Sequence, residues 1–468
     1  MNRYPLPITR SSIVRVVTIS AATAVVIGGC GSDGVEITVG ADPSAADASV
    51  SVDAEPGSVS VDAGESRDPI DPVVDGTLSL PDGWFEMSGY GTVLHVDGDE
   101  FTMHHVTAST CVVGDDVDNE LPVDHAGDDG GVVVLDLVGP TTDYRLLPLA
   151  GPLECDSGAG ESGTALDEVF GAHYPYFAER GIDREAAFGE IRTALVADPS
   201  AFEHVVAEFM IELGDGHTTF DELSIDPDVD GFGMPELTTV EEAGAAMQAE
   251  LDATLARLDG LQSDPTGSVG WGTLDESVGY LLIAGFEGMS GDDDPVADRD
   301  VFAGALEVAI SDLSGRVDRL VVDVRFNQGG YEDLAVLAAG HFVEETTPAY
   351  RKWPHAQPDP FVQTIDVEPR VAHFDGDVVV LTSPITASAA EVFTLAMIEV
   401  ADATVIGNRS FGEFSDAIDW TLPNGIEFTM SMEVYTGLGG SGYEAVGLPV
   451  DVVTRFDAAV DAAIEHLR

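Results

Sequence analysis

The stretch that decides the fold is residues 378–393, which read Val378-Val379-Val380-Leu381-Thr382-Ser383-Pro384-Ile385-Thr386-Ala387-Ser388-Ala389-Ala390-Glu391-Val392-Phe393. The four apolar residues at its start are typical of a strand buried on both faces. From Ala389 onward, apolar residues recur at helical spacing up to Val400, so a helix follows. This strand–turn–helix unit places Ser388 near a helix N-terminus, at the carboxyl edge of the predicted sheet.

Similar units surround this stretch, and together they predict an α/β fold with a largely parallel sheet covered on both faces. Further strands are predicted at Tyr280–Ile283, Leu320–Val324 and Val405–Ile406, with helices at Val301–Leu313 and after Gly330. Upstream, helical periodicity predicts helices at Phe202–Leu213, ending at Gly214, and at Val240–Leu258.

The chain is long enough for two or three domains, and its composition changes along its length. Residues 31–74 are rich in Ala, Ser, Asp, Gly and Pro and lack aromatic residues, which is typical of a disordered tether. The predicted division is a signal peptide (1–29), a tether (30–74), a small all-β domain (75–160), a helical subdomain (161–265) and an α/β core (266–468).

The chain is strongly acidic. The 468 residues carry 85 acidic and 19 basic side chains, for a formal net charge of −66. Such a surface repels phosphate backbones, so the composition argues against nucleic acid as a partner. Two origins remain open, adaptation to a salty medium in which counterions screen self-repulsion, or a genomic compositional bias.

The N-terminus reads as a targeting segment. Arg3 and Arg10 precede a mostly apolar run that ends in Ile27-Gly28-Gly29-Cys30, which is typical of a secretory signal. The last four residues resemble the bacterial lipobox, which implies diacylation of Cys30 and anchoring of an exported protein at the bacterial cell membrane or envelope. The alternative is an ordinary signal peptide with a chance cysteine.

Two further cysteines, Cys111 and Cys155, remain in the chain. In an exported protein an even pair predicts a disulfide, and the alternative is two unpaired, buried thiols.

Two side chains are candidates for nucleophile and base. Ser388 is placed where unpaired backbone N–H groups and the helix dipole favour developing negative charge, although it can equally serve as a helix cap. His217 lies in Gly214-Asp215-Gly216-His217-Thr218, just past a helix end, where it can point into a cleft or remain an exposed loop residue.

Two more motifs complete the candidate set. Gly329-Gly330 follows a strand and precedes a helix, so its amides can turn toward an oxyanion, or it can be an ordinary tight turn. Glu444 can orient a histidine through its second ring nitrogen, or it can be a solvated loop carboxylate.

In their order along the chain, these motifs resemble the tail-specific (C-terminal-processing) serine peptidase family. The likeness covers about residues 165–453 and includes Ile406-Gly407-Asn408-Arg409-Ser410-Phe411-Gly412 and Tyr443-Glu444-Ala445-Val446-Gly447-Leu448-Pro449. It implies a ClpP/crotonase-like αββ spiral for the core.

The family has two catalytic styles. The dyad style places a lysine in a Gly-Lys-Gly turn after the nucleophile helix, but here Glu413 occupies that position. The single lysine, Lys352, precedes the nucleophile, which excludes a lysine base. The chain also lacks a recognisable PDZ insert. It therefore resembles the tricorn-core branch, which uses Ser, His and Glu.

This resemblance implies Ser388 as nucleophile, His217 as general base and Glu444 as orienting acid, with Glu413 as the alternative third member. It places the oxyanion hole at Gly329, Gly330 and Ala389.

The expected function is a serine endopeptidase that acts on peptides or unfolded proteins. The alternatives are a catalytically silent peptide- or polymer-binding lipoprotein and an esterase-type hydrolase on the same fold. The sequence indicates no cofactor and no metal site. The acidic runs Asp115-Asp116 and Asp292-Asp293-Asp294 are interpreted as solvated loops rather than Ca²⁺ ligands.

Overall fold

The computed structural model describes residues 73–74, 77–117, 123–129, 131–153, 155, 162–220, 230–291, 294–357 and 361–468. The predicted signal peptide, Cys30 and nearly all of the predicted tether lie outside the described residues. Within the described ranges, no helix combines the length and apolar character needed to cross a bilayer.

The N-terminal part is all-β, as the sequence predicts. A two-stranded hairpin of β1 (Val73–Val74) and β2 (Thr77–Leu78) precedes a seven-stranded antiparallel sheet. The strands of this sheet are β3 (Gly83–Met87), β4 (Thr92–Asp97), β5 (Glu100–Val106), β6 (Cys111–Val117), β7 (Val123–Asp129), β8 (Val132–Leu137) and β9 (Asp143–Pro148), in the order β6-β5-β4-β3-β9-β8-β7. We call residues 77–155 the β domain. A disulfide joins Cys111 to Cys155, with the Cα atoms 4.8 Å apart.

A helical subdomain follows. Its α-helices are α1 (Ser162–His173), α2 (Arg184–Ala197), α3 (Phe202–Leu213) and α4 (Val240–Arg257). The helix α3 ends where the sequence predicts, because Gly214 takes up the left-handed conformation (φ 65°) and donates its N–H to the Met210 carbonyl.

The core is built on a mixed seven-stranded sheet. Its strands are β10 (Asp259–Ser263), β11 (Val269–Thr273), β12 (Val278–Ile283), β13 (Arg319–Asp323), β16 (Asp377–Thr382), β17 (Thr404–Gly407) and β21 (Val452–Val453), in that spatial order. The strands from β12 to β21 are parallel, and β10 and β11 pair antiparallel at one edge. The sheet thus begins at Asp259, before the predicted core boundary at residue 266.

Helices cover both faces of this sheet. They are α5 (Pro295–Ser314), α6 (Glu332–Ala339) and α7 (Ala389–Ala401) on one face, and α4 and α8 (Ala459–Leu467) on the other. The helix α5 begins six residues before the predicted start, because Asp294 caps the N–H groups of Val296 and Ala297 and Pro295 fits the first turn.

Five antiparallel strands escape the sequence analysis. They are β14 (Thr347–Pro354), β15 (Gln363–Val367), β18 (Ala417–Thr421), β19 (Glu427–Ser431) and β20 (Glu433–Gly437). The strands β15, β14 and β20 form one small sheet, and β18 pairs with β19. This hairpin packs with the β domain and with α1 to α3 in a shared apolar core.

Two buried histidines lie at this junction. The rings of His105 and His173 pack on Trp420 of β18, with centroids 5.0 and 5.7 Å away. Burial lowers the pKa of each to about 4. Both imidazoles are therefore neutral in the folded protein at neutral pH.

We expect acid to weaken this junction. Below pH 6.5 the unfolded chain takes up protons at His105 and His173, whereas the folded protein does not do so until about pH 4, so stability falls within this window. A His105→Gln/His173→Gln variant should lose less Tm than the wild type between about pH 7.5 and about pH 4.5. The exposed His204→Gln is the control, and an equal loss of Tm in the double variant would contradict the argument.

Candidate active site

Ser388 lies in the turn between β16 and α7, directly before the first residue of the helix. Its backbone has φ 53° and ψ −128°, a conformation that non-glycine residues rarely adopt and that is typical of functional sites. Its side chain makes no capping hydrogen bond to the helix. The hydroxyl is therefore not used as a helix cap, which was the alternative to a nucleophile.

The nucleophile turn is held by the neighbouring strand end. Thr386 donates its hydroxyl to the Val324 carbonyl at 2.9 Å, and Ser383 donates its hydroxyl to the Arg325 carbonyl at 2.6 Å. The Ser388 N–H donates to the Glu413 carbonyl at 2.9 Å. These bonds fix the backbone on both sides of Ser388.

The Gly329-Gly330 turn lies directly against the nucleophile. A Cβ atom on Gly329 would lie 2.6 Å from the Cβ of Ser388, and Gly329 has φ 114°, so only glycine fits. Its N–H donates to Asn327 Oδ1 at 2.8 Å. Of the three predicted oxyanion donors, the Gly329 N–H therefore already has an acceptor within the protein.

The two other predicted donors remain available. The structure gives the Gly330 N–H no acceptor among the residues that it describes. Ala389 is the first residue of α7, where backbone N–H groups have no intrahelical acceptor. An oxyanion on a substrate at Ser388 can thus be bound by one amide from each turn.

His217 lies on a loop that is anchored on both sides. Its N–H donates to Asp215 Oδ1 at 3.0 Å, and the buried Asp215 also accepts from Tyr174 Oη (2.8 Å) and Ser431 Oγ (3.1 Å). The Nδ1 atom of His217 is buried and has no hydrogen-bond partner in the described part of the chain. This nitrogen is where an orienting carboxylate would bind.

One residue, Glu413, connects the histidine loop to the nucleophile. Its Oε1 accepts the Gly216 N–H at 2.6 Å, and its carbonyl accepts the Ser388 N–H. Its own N–H donates to Glu391 Oε2 at 2.7 Å. Among the described residues, no hydrogen bond joins the His217 ring to Ser388 Oγ. Such bonds are often long in unliganded enzymes and shorten when substrate binds.

Glu444 is buried beside the same loop. Its Oε2 accepts the N–H groups of Phe414 (2.7 Å) and Ser415 (3.2 Å), and its Oε1 binds Arg180 at 2.7 Å. Arg180 also contacts Asp215 at 3.6 Å and donates to the Gly214 carbonyl. Arg180 therefore ties the helical subdomain to the predicted triad acid, a role that the sequence analysis missed.

Burial and charge set the protonation of these acids. Burial raises the pKa of Glu413 to about 8 and that of Glu444 to about 7, with Arg180 opposing the rise in both. Burial also disfavours ionised Asp215, but Arg180 and His217 outweigh it and hold its pKa below the usual value. Asp215 is thus the fixed anion of the cluster, whereas Glu413 and Glu444 can gain or lose a proton near neutral pH.

Glu391, one turn after Ser388, is a second residue whose role was not predicted. Its carboxylate accepts Ser410 Oγ (2.6 Å) and the N–H groups of Gly412 (2.8 Å) and Glu413. It therefore holds the loop that carries Glu413. In the sequence, a glutamate at the third residue of a helix gives little indication that it holds another loop. Glu391 holds the Glu413 loop because its side chain is buried.

Lys352 lies elsewhere, on β14. Its ammonium group is buried and binds Glu332 at 2.6 Å, and it makes no contact with Ser388 in the described structure.

The acidic run at residues 292–294 does not form a metal site in the described structure. Asp294 caps α5, Asp292 and Asp293 lie outside the described residues, and the described part of the chain holds no metal-binding cluster of three or more His, Cys, Asp or Glu.

A serine that precedes a helix, lies against a glycine turn and is joined through Glu413 to a histidine loop is the arrangement of a serine hydrolase. Residues 277–454 match the description "Peptidase family S41". The core therefore contains a domain that matches this family, and the chain is a serine-type peptidase, as the sequence predicts. His217 lies outside the matched range, whereas Ser388 and Glu444 lie inside it.

The chain is similar to several solved structures. A putative peptidase from Parabacteroides merdae is 19% identical, covers 67% of this chain and 97% of its own, and has a TM-score of 0.51. Mature CPAF is 12% identical, covers 65% of this chain and 95% of its own, and has a TM-score of 0.46. The photosystem II D1 C-terminal processing protease is 14% identical, covers 65% of this chain and 96% of its own, and has a TM-score of 0.39. The predicted fold class, a ClpP-like core preceded by helices and a separate β domain, is confirmed.

The contact between Gly329 and Ser388 generates a prediction. A Gly329→Ala substitution would push its Cβ into Ser388 and displace the nucleophile, which we expect to slow labelling by a fluorophosphonate about a hundred-fold. Gly425→Ala is the matched control, because Gly425 also has positive φ (82°) but open space around a Cβ. Wild-type labelling in Gly329→Ala would show that this turn does not position Ser388.

Proposed function

We propose that this protein is an exported, lipid-anchored endopeptidase that cleaves peptide bonds through an acyl-enzyme on Ser388. The observation that carries the proposal is the backbone of Ser388, held at φ 53° between two turns that each offer a free amide. Strain of this kind persists only where the surroundings enforce it, and here those surroundings are the parts of an acyl-transfer site.

In the proposed reaction, His217 removes the hydroxyl proton of Ser388, and Oγ attacks the carbonyl carbon of the scissile peptide bond. The resulting oxyanion accepts hydrogen bonds from the Gly330 and Ala389 amides. His217 then gives the proton to the leaving amine, and the C–N bond breaks. A water molecule, activated by His217, hydrolyses the ester and restores Ser388.

Glu444 is the proposed orienting acid, and its electrostatic proximity to His217 supports this role. Burial raises the pKa of Glu444 to about 7, and an electrostatic interaction with His217 opposes that rise. Glu413 is the alternative, since it binds the residue next to His217. Burial raises the pKa of Glu413 as well, to about 8.

The proposed location rests on sequence alone. The charged start, the apolar run and Ile27-Gly28-Gly29-Cys30 support export and diacylation of Cys30, which would supply two acyl chains for stable anchoring in a bacterial membrane. Mass analysis of the mature N-terminus, with Cys30→Ala as comparison, tests this. A soluble wild-type protein with an unmodified Cys30 would exclude the anchor.

The decisive test of the reaction is labelling with a fluorophosphonate, followed by mapping of the modified serine and assay against a peptide library. We expect the label on Ser388 and loss of both labelling and cleavage in Ser388→Ala and His217→Ala. Absence of labelling would favour a silent binding protein. Ester turnover without peptide cleavage would favour an esterase.

A second test separates the two acids. Glu444→Gln should lower kcat. We expect this decrease to be about a hundred times smaller than the decrease caused by Ser388→Ala, because orienting acids contribute less than nucleophiles. Glu413→Gln should retain most activity near neutral pH, because glutamine mimics the protonated carboxyl that a pKa of about 8 implies. In the wild type, activity should rise through about pH 7 as Glu444 ionises, and Glu444→Gln should remove that dependence. The reverse ranking of the two variants would make Glu413 the third member.

A further inference from the structure

The oxyanion turn is confined on two sides by the core. The Phe286 N–H donates to the Gly329 carbonyl at 2.8 Å, and the Tyr331 N–H donates to the Phe286 carbonyl at 2.9 Å. On the second side, the Cβ of Ser388 lies directly against Gly329. The turn continues through Tyr331 into α6, which begins at Glu332. Whatever holds the first turn of α6 therefore acts on the Gly330 amide through one intervening residue, Tyr331.

Glu332 holds the first turn of α6 through its buried carboxylate. Its Oε2 accepts from Lys352 Nζ at 2.6 Å and from Tyr435 Oη at 3.1 Å, and its Oε1 accepts from Tyr350 Oη. Burial disfavours the charge, but Lys352 outweighs it and keeps the pKa of Glu332 below its usual value. An ionised, fully paired carboxylate of this kind tolerates little displacement.

The β domain completes this anchor through its loop of residues 138–143. The Gly139 carbonyl accepts the Asp333 N–H at 2.9 Å, and the Thr141 N–H donates to Glu332 Oε2 at 3.4 Å. Thr141 Oγ1 and Tyr350 Oη are also within hydrogen-bond distance, at 3.3 Å. A Cβ on Gly139 would lie 3.2 Å from the ring of Tyr331.

The loop itself is fixed to the core at several points. Gln363 donates to the Thr141 carbonyl at 2.8 Å and accepts the Asp143 N–H at 2.9 Å. Thr142 donates to Glu433 at 3.0 Å, and Glu433 binds Lys352 at 3.2 Å. The loop and Lys352 thus share the carboxylates of Glu332 and Glu433. These contacts join a domain outside residues 277–454 to the helix that follows the oxyanion turn.

We propose that the β domain is a positioning element of the active site: its loop 138–143 holds the start of α6 and thereby places the Gly330 amide for oxyanion binding. This inference rests on the proposed function, because it takes Gly330 as an oxyanion donor. It gives the β domain a role in setting kcat rather than KM, since the Gly330 amide would bind an oxyanion that forms only in the transition state. A partner that moved the β domain would therefore change the rate of acylation.

The test uses the full chain with Gly139→Ala and Thr141→Val. The Gly139 substitution adds a Cβ against Tyr331 at φ 115°, and Thr141→Val removes the hydroxyl from Tyr350. We expect both to lower kcat and the rate of phosphonate labelling at Ser388, Gly139→Ala by about ten- to a hundred-fold, with KM little changed. Deuterium uptake by a peptide spanning residues 326–339 should become faster. Gly131→Ala is the matched control, with φ 96° in the same domain but open space around a Cβ.

The outcomes separate this inference from the proposed function. If Ser388 reacts in the wild type and both loop variants keep its labelling rate, kcat and exchange rate, the positioning role is excluded while the peptidase mechanism stands. If wild-type Ser388 takes no probe, the proposed function fails, and unchanged exchange in the variants would exclude the coupling as well. If Gly139→Ala does not fold, Thr141→Val decides the question by the same readouts.

Discussion

The site depends on one constraint, the positive φ of Ser388. Such a conformation costs about 1–3 kcal/mol for a residue with a Cβ, so it must be enforced by its neighbours. Here Glu413 binds the Ser388 amide from one side, and Gly329 leaves just enough room on the other. Because Glu391 holds Glu413 and Asn327 holds Gly329, residues far apart in sequence act on a single pair of dihedral angles. The amides that would bind an oxyanion are positioned by the same contacts.

Part of this arrangement can be predicted from sequence, because its signals are local. The apolar strand, the helical period after Ser388 and the glycines around His217 each identify an element within a few residues. Arg180 has no such signal. Its pairing with Glu444 spans 264 residues and depends on how the helical subdomain meets the core. The strands β14 and β20 were missed for a related reason, since they pair across a long stretch of chain and the pattern of β14 is interrupted by residues such as Lys352 and Pro354.

The Gly329-Gly330 turn shows both what the sequence predicts about the site and what it leaves undetermined. Two glycines after a strand predict a backbone that turns its amides toward a ligand, and the turn lies where expected. Which amide is free depends on Asn327, whose side chain occupies the Gly329 N–H. A side-chain hydrogen bond two residues away is compatible with the sequence but not specified by it. The sequence therefore predicts the turn, whereas the amide that stays free within it depends on the folded structure.

Basic side chains are scarce in this protein, and a few buried ones join its subdomains. With 19 basic residues against 85 acidic ones, three buried cations each collect several carboxylates or carbonyls. Arg180 joins the helical subdomain to Glu444, Arg325 joins Asp323 of β13 to the C-terminal Phe456 carbonyl, and Lys352 joins the loop of the β domain to Glu332. Salt screens exposed charges strongly and buried pairs weakly, so these junctions keep their strength while counterions relieve the repulsion of the acidic surface.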